Sequence, residues 1–399
     1  MNSQLIFDVD THVTETANIW SDRMSSKWGD LVPHVEAVDG VEYWVVGDKK
    51  MGSVAASSYM HLDAETGERK RQPPSNQFLT SAEYRDLHPS SYDPHARLDV
   101  MDELGVQASV LYPNLNLVIS DLHEQVDDPE YKIQIIRAYN DWLAQEWAAA
   151  DPERLIPVAL VAYFDAQVAA EEVHRCKELG HRGLVMTGMP QLHGKPPLAD
   201  KYWAPLWKAA EDTGMSVGFH VGANEGIMEK YVNADRLAAE GARRMGARTV
   251  TEAFLDNACS LNDLLLSGIL PAYPNLKFVM VETGVGWVNF CLESADYHFE
   301  RYGVREDCPE FTELPSFYFR RQVYTTYWFE KIDPFHVGTV GEDKIMFETD
   351  YPHSTSLDAA DVQWALTEGM AGISEEAKHK ILWANAAELY GVRTPTFAG

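Results

Sequence analysis

Eight short apolar runs, separated by segments with helical periodicity, recur along the chain and restrict the folds open to it. They begin near residues 5, 108, 155, 183, 216, 276, 322 and 344. Eight strands that alternate with helices predict an α/β fold of the (β/α)8 type, the TIM barrel. A doubly wound open sheet is the alternative, but no Gly-x-Gly-x-x-Gly stretch follows any of the predicted strands. We therefore expect the barrel.

The span between the first two predicted strands is too long for one barrel unit. We expect residues 1–399 to form a single domain with an N-terminal insertion at about 14–96. Within it, Val41–Val46 alternates weakly and is predicted to pair as a hairpin with the segment at 59–62. Residues 63–96 are polar and rich in proline. A long excursion of this kind is typical of a lid over the barrel mouth or of a subunit contact.

The charge balance limits the classes of binding partner that are expected, and the cysteines indicate the cellular compartment. The formal net charge is -28, whereas nucleic acids and anionic membrane surfaces bind basic patches. The four cysteines are widely spaced, which is typical of a reducing compartment. The sequence opens without a basic segment followed by a long apolar run, and it contains no apolar run of about eighteen residues. We expect a cytoplasmic protein that binds neither nucleic acid nor membranes.

Ionisable side chains stand where three of the predicted strands end. Asp10 and His12 alternate on one face of the first strand, His220 ends the fifth, and Asp350 ends the eighth. Barrel strands bring their C-terminal ends to one mouth, so these four side chains should converge. They form a mixed oxygen and nitrogen set that suits one divalent ion, zinc or else manganese. Taken singly, each of them could equally be a core or turn residue.

Several motifs together are similar to those of a known enzyme family. They are Asp8-Val9-Asp10-Thr11-His12, Phe219-His220-Val221-Gly222, Pro274-Asn275-Leu276-Lys277-Phe278-Val279 and Thr349-Asp350-Tyr351-Pro352-His353. The chain resembles the amidohydrolase superfamily, and within it the branch of aminocarboxymuconate-semialdehyde decarboxylase and the resorcylate-type aromatic-acid decarboxylases. The resemblance covers nearly all of residues 5–390 outside the insertion. It implies that Asp10, His12, His220 and Asp350 are the metal ligands.

Two positions depart from the pattern of that branch. Many of its members carry a catalytic histidine at the end of the sixth strand, where this chain has Glu282. A carboxyl group can transfer the same proton, particularly if burial raises its pKa. The alternative is a structural glutamate that pairs with an arginine. The fourth strand ends in Met186-Thr187 where a metal-bridging lysine would stand, so the resemblance implies one metal ion rather than two.

The resemblance implies a metal-dependent non-oxidative decarboxylase, a carboxy-lyase that acts on a hydroxylated aromatic or conjugated carboxylic acid. The alternative is a hydrolase of an amide, a lactone or a related bond, in which Asp350 takes a proton from metal-bound water. A non-catalytic scaffold would be expected to lack one of the ligands, and all four are present. The resemblance also implies a small-molecule carboxylic acid as substrate and a homodimer.

The remaining candidate residues follow from these roles. The candidate catalytic acids and bases are Asp350, Glu282 and His353. The predicted substrate contacts are Tyr112, Asn114, Trp287 and Tyr327. The aromatic residues near the strand ends, which include Trp328, could form a wall for a substrate ring or could equally pack between the barrel and its helices.

Overall fold

The computed structural model describes residues 4–55, 58, 60–63, 65–71, 83–114, 121–223 and 234–395. In chain order its strands are β1 (Phe7–Val13), β2 (His34–Val38), β3 (Val41–Val46), β4 (Lys49–Ser53), β5 (Met60–Leu62), β6 (Arg69–Arg71), β7 (Ala108–Pro113), β8 (Leu155–Leu160), β9 (Gly183–Met186), β10 (Ser216–His220), β11 (Phe278–Val281), β12 (Val323–Tyr327) and β13 (Ile345–Phe347). Eight of them form one sheet, in the order β1-β7-β8-β9-β10-β11-β12-β13.

The eight-stranded sheet curves into a barrel whose neighbouring strands run parallel. Its two ends meet where β13 approaches β1. There the N–H of Asp350 donates to the carbonyl of Asp10 at 3.0 Å, and the N–H of His12 donates to the carbonyl of Tyr351 at 2.6 Å. Each barrel strand coincides with one of the predicted apolar runs, so the predicted (β/α)8 barrel is confirmed.

Helices separate the barrel strands and cover the outside. They are α1 (Pro94–Leu104), α2 (Asp121–Glu124), α3 (Pro129–Trp142), α4 (Ala166–Glu178), α5 (Ala204–Thr213), α6 (Ala234–Glu240), α7 (Ala242–Leu266), α8 (Ile269–Ala272), α9 (Val288–Arg301), α10 (Val304–Asp307), α11 (Pro315–Gln322), α12 (Pro334–Val340), α13 (Ala359–Trp364), α14 (Glu375–His379) and α15 (Asn385–Tyr390). Several begin at an aspartate cap followed by proline, as at Asp93 and Asp128, whose carboxylates accept from the first free N–H groups. Within the part of the chain that the structure describes, none of the helices combines the length and the hydrophobicity of a transmembrane span.

The excursion between β1 and α1 folds into small antiparallel sheets, one of β2-β3-β4 and one of β5-β6. The predicted hairpin is wrong, because β3 pairs with β2 and β4 rather than with the segment at 59–62. Residue 59 lies outside the described residues, and β5 pairs with β6. Tight turns with positive φ join these strands, at Asp39-Gly40 (53° and 79°) and at Gly47 (56°). Pairing with the neighbouring strands therefore closes shorter loops, and the conformational entropy that is lost is smaller.

The β5–β6 hairpin contacts the loop that follows β13. Nη1 of Arg71 donates to the carbonyl of Ser356 at 2.6 Å. The guanidinium of Arg69 lies 5.8 Å from the centre of the Tyr351 ring. Part of the excursion therefore supports the stretch of chain that carries Asp350 and His353.

Candidate metal centre

The four predicted ligands converge at the C-terminal mouth of the barrel. Nε2 of His220 lies 3.3 Å from Oδ1 of Asp10. Nε2 of His12 lies 3.5 Å from Oδ1 of Asp10 and 3.5 Å from Oδ1 of Asp350. All four side chains are completely buried. Their ligand atoms fall into two groups that share His12: those of Asp10, His12 and His220 lie within 4.8 Å of one another together with Glu282, and those of His12 and Asp350 do so together with His353. The parallel strands thus bring residues that are far apart in sequence to the same mouth.

The atoms in this cluster fit a divalent metal ion. Among the described residues, Oδ2 of Asp10, Nε2 of His12 and Oδ1 of Asp350 are buried without a hydrogen-bond partner. Buried polar atoms are normally paired, because an unpaired one costs about 1–3 kcal/mol. A cation would accept these lone pairs and offset the repulsion between the two carboxylates. The donor set suits a mixed oxygen and nitrogen site.

Both candidate ligand histidines are held in the tautomer that leaves Nε2 able to bind a metal. Nδ1 of His12 donates to the carbonyl of Pro113 at 2.9 Å, and Nδ1 of His220 donates to the carbonyl of Val221 at 2.7 Å. Each Nε2 therefore keeps its lone pair toward the cluster. Burial lowers the pKa of His220 to about 4 and, together with the neighbouring His353, lowers the pKa of His12 well below its usual value. Neutral imidazoles are the form that binds metal.

Asp350 is fixed from several sides. Its backbone adopts φ of 59°, a left-handed conformation that is rare outside glycine. The hydroxyl of Thr355 donates to its Oδ2 at 2.6 Å. One residue earlier, the N–H and the hydroxyl of Thr349 donate to Asp8 at 2.9 Å and 2.5 Å. Asp8 therefore positions the end of β13 rather than joining the ligand cluster.

His353 lies beside the cluster and is oriented by Asn114. Its Nε2 donates to Oδ1 of Asn114 at 3.0 Å, and the Asn114 amide donates to Ser58 at 3.3 Å, which fixes the amide orientation. Its Nδ1 lies 2.8 Å from Oδ1 of Asp350 without hydrogen-bond geometry. Its ring stacks on that of His12 at 3.8 Å. Nδ1 of His353 thus faces the carboxylate of Asp350.

Glu282 faces the same cluster from the end of β11. Its Oε2 lies 3.7 Å from Nδ1 of His220, and its backbone φ is 57°. Burial, followed by the nearby carboxylates of Asp350 and Asp10, raises the pKa of Glu282 well above its usual value. The raised pKa favours the protonated form. No arginine pairs with Glu282 within the described residues, so the alternative of a structural ion pair gains no support.

Sequence reasoning missed Glu348, which points toward the same centre. It is completely buried, and its Oε2 accepts from the N–H of Glu282 at 3.2 Å. Burial and the nearby Asp10 raise the pKa of Glu348 well above its usual value. The signal was its place, since Glu348 directly follows the strand that leads to Asp350. Thr355, the partner of Asp350, had no comparable signal.

The four predicted substrate contacts have different surroundings. Asn114 touches His353, whereas Tyr112 packs its ring 5.0 Å from that of His220 and hydrogen-bonds to Tyr390 within the barrel. The indole N–H of Trp287 donates to the carbonyl of Thr283 at 2.7 Å. The hydroxyl of Tyr327 donates to the carbonyl of Ala365 at 2.8 Å, which turns it toward an outer helical segment. The structure thus brings Asn114 and Tyr112 to the cluster and directs Tyr327 away from it.

Comparisons with known sequences agree with these features. A protein-family model described as amidohydrolase matches residues 8–392. The chain is 27% identical over 307 residues to gamma-resorcylate decarboxylase of Polaromonas sp. strain JS666, which covers 74% of this chain and 86% of that protein. It is 21% identical over 316 residues to 2-amino-3-carboxymuconate-6-semialdehyde decarboxylase of Dictyostelium discoideum, with 77% and 79% covered.

Solved structures show the same fold. An amidohydrolase from Mycobacterium avium subsp. paratuberculosis K-10 superposes with a TM-score of 0.74 at 22% identity, covering 98% of this chain and 100% of that one. A dihydroxybenzoic acid decarboxylase from Polaromonas sp. JS666, solved with bound manganese and the inhibitor 2-nitroresorcinol, superposes with a TM-score of 0.58 at 20% identity, covering 98% and 97%. At these identities the likeness is one of fold.

Proposed function

The chain belongs to the amidohydrolase family, and we propose that it is a metal-dependent carboxy-lyase that removes CO2 from a hydroxylated aromatic or conjugated carboxylic acid. The observation that carries this proposal is the position of His353, whose Nδ1 lies 2.8 Å from Oδ1 of the candidate ligand Asp350. Decarboxylation needs a proton delivered to carbon beside the site that holds the carboxylate. Two relatives, 27% and 21% identical to this chain, are decarboxylases, which supports the same reaction class.

Asp10, His12, His220 and Asp350 would hold the ion, one per chain. When bound, it would supply a Lewis acid and a template for the carboxylate and an adjacent oxygen of the substrate. Imidazole ligands suit zinc, and carboxylate ligands also suit manganese, so the donor set accommodates either. The Polaromonas relative contains manganese. The carbonyls of Pro113 and Val221 accept hydrogen bonds from Nδ1 of His12 and of His220, and these bonds orient both imidazoles before the metal ion binds.

The protein's own residues would carry the proton. The ring carbon that bears the carboxylate takes a proton from the Asp350–His353 pair, with Nδ1 of His353 as its source. The electron pair of the breaking carbon–carbon bond then returns to the ring system as CO2 departs, so charge and atoms balance. Asn114 holds the imidazole in place, and the near-complete burial of this region limits competing proton transfer from water. Glu282, whose raised pKa favours a held proton, is the second candidate donor.

The alternative function is hydrolysis of an amide, a lactone or a related bond. One observation favours it, since a glutamate, Glu282, stands beside the cluster at the end of β11. A protonated carboxyl group at that place could protonate a leaving group, while Asp350 accepts a proton from water. The same four ligands would serve either reaction, so only the products distinguish them.

The experiment is a paired product assay on protein reconstituted with zinc or with manganese. We expect CO2 release from hydroxylated benzoic acids, such as salicylate and 2,6-dihydroxybenzoate, and no turnover of a matched panel of aryl amides and lactones. Asp350→Asn, which keeps the shape of the side chain, should abolish the release. Turnover of the amide or lactone panel alone would favour the hydrolase. No CO2 from any acid in the presence of bound metal would overturn the carboxy-lyase.

A further inference from the structure

An apolar cavity of about 570 Å³ adjoins the candidate metal centre. Helix α7 forms one wall, and the residues after β12 and after His353 form the other. Its lining includes Gly246, Val250, Phe254, Trp328, Phe329 and Thr355. The rings of Phe254 and Phe329 stack with centres 5.9 Å apart, and Trp328 lies 5.9 Å from Phe254. The cavity is thus lined largely by aromatic and small side chains.

Two contacts connect this cavity to the ligands. Thr355 lines the cavity and donates its hydroxyl to Oδ2 of Asp350 at 2.6 Å. On the opposite side, Phe254 packs against Val221, whose carbonyl accepts from Nδ1 of His220. The cavity therefore reaches two of the strand ends that carry ligands. A molecule held by the metal centre could extend into it without crossing a strand.

One polar atom in the wall has no partner. Trp328 is 1% exposed, and among the described residues its indole Nε1 has no hydrogen-bond acceptor. The indole N–H can only donate, and leaving it unpaired in a buried place costs free energy. The rest of the wall combines its apolar side chains with a few polar ones, those of Arg243, Thr251, Ser354 and Thr355. A mostly apolar surface with a few polar groups is the usual composition of a small-molecule site.

Resting on the proposed function, we infer that this cavity is a second subsite for the part of the substrate remote from the carboxylate. The substrate is then a hydroxylated aromatic acid that carries a ring-bearing apolar substituent, rather than a single hydroxylated ring. Small-molecule pockets of roughly 300–1,000 Å³ enclose ligands of several rings, and this cavity falls in that range before the metal centre is added.

The test compares the binding of salicylate and 5-phenylsalicylate to the metal-loaded full chain by titration calorimetry. We expect 5-phenylsalicylate to bind at least about tenfold more tightly, because burying a phenyl group in an apolar site is favourable by that amount or more. Val250→Phe and the exposed Ala247→Phe, which both fill the cavity, should abolish this preference and leave salicylate binding unchanged. Leu255→Phe, on an exposed face of the same helix, is the matched control and should keep the preference.

The indole proton of Trp328 gives a second readout. Its nitrogen–proton resonance, assigned by its absence in Trp328→Phe, should shift when 5-phenylsalicylate is added and stay unchanged with salicylate, because Trp328 lines the cavity. Equal affinities for the two acids, no binding of 5-phenylsalicylate, or a preference that survives both filling variants would overturn the subsite. If the preference is found but no acid releases CO2, the subsite stands and the carboxy-lyase assignment fails.

Discussion

Glu282 and Asp350 share a left-handed backbone conformation, with φ of 57° and 59°, at the ends of two barrel strands. Beside them, the described residues contain one other non-glycine residue with positive φ, Asp39 in a tight turn. Such a conformation costs about 1–3 kcal/mol and persists where the surroundings hold it. Here it turns two carboxyl groups toward the same cluster. Both residues are therefore held in a fixed orientation at the barrel mouth.

Glu282→Gln tests whether that carboxyl group transfers a proton. Glutamine keeps the length of the side chain but cannot exchange a proton in the working pH range. We expect CO2 release to fall by about 100-fold or more at unchanged metal content, as is usual for the loss of a general acid or base. The control is Glu293→Gln on the exposed side of α9. Full activity of Glu282→Gln would make Glu282 a structural residue.

Glu330 positions the loop that follows Glu282. Its carboxylate accepts from the N–H of Val285 at 2.9 Å and from the N–H of Gly286 at 3.0 Å. Gln at this position has one acceptor oxygen, and its amide donors would face backbone donors. We therefore expect Glu330→Gln to lower kcat about tenfold, with KM and metal content unchanged. Lys331→Gln, at the exposed neighbouring position, should behave as the wild type. An unchanged kcat in Glu330→Gln would remove this positioning role.

His353→Gln separates the proton donor from the metal ligands. The glutamine amide can still donate to Asn114, whereas the atom facing Asp350 no longer holds a transferable proton. We expect CO2 release to fall by about 100-fold or more while the metal remains bound. Elemental analysis of the same preparation provides the readout. If the variant loses its metal together with its activity, His353 is a ligand and the assignment as proton donor is wrong.

His181, at the opposite end of the barrel from the ligand cluster, should make stability depend on pH. Its Nε2 donates to the carbonyl of Asn140 at 3.0 Å, and burial lowers its pKa to about 4. An unfolded histidine titrates near pH ~6.5. Between these values the unfolded chain binds a proton that the folded chain excludes. The free energy of unfolding therefore falls as the pH falls through this window.

His181→Gln should flatten that dependence, because glutamine can still donate to Asn140 but does not titrate. We expect the wild type to lose on the order of 2 kcal/mol more than the variant between pH 7 and pH 4.5, measured by urea unfolding. His174→Gln, at an exposed position on α4, is the control and should follow the wild type. Parallel pH profiles for the wild type and His181→Gln would contradict the assignment.

The barrel could be predicted from sequence because each strand is a short apolar run with a polar end. The same rule predicted the positions of Asp10, His12, His220 and Asp350, because the C-terminal ends of all the parallel strands lie at the same end of the barrel. The strand pairing in the excursion before α1 could not be predicted by the same rule. The alternation of Val41–Val46 predicts a hairpin with a distant segment, whereas the Asp39-Gly40 dipeptide, a strong local turn signal, favours the pairing with β2 that the structure has.

Contacts made by side chains were the least predictable part. Tyr327 and Asn114 both stand at strand ends, where a substrate contact is expected. The hydroxyl of Tyr327 instead donates outward to Ala365, and the amide of Asn114 accepts from His353. The direction of a side chain at a strand end depends on twist and on neighbours from distant parts of the chain. Glu330 lies on a loop, and its role depends on contacts with the separate loop after β11.

The central claim is that Asp10, His12, His220 and Asp350 hold one divalent ion. The most direct measurement is the metal content of the purified chain after reconstitution with zinc or manganese, alongside His220→Ala and Asp350→Ala. We predict about one ion per wild-type chain and a loss of affinity of about 100-fold or more in both variants. His174→Ala, an exposed histidine, should keep the ion. A wild-type chain that takes up no metal, or variants that retain it fully, would contradict the account.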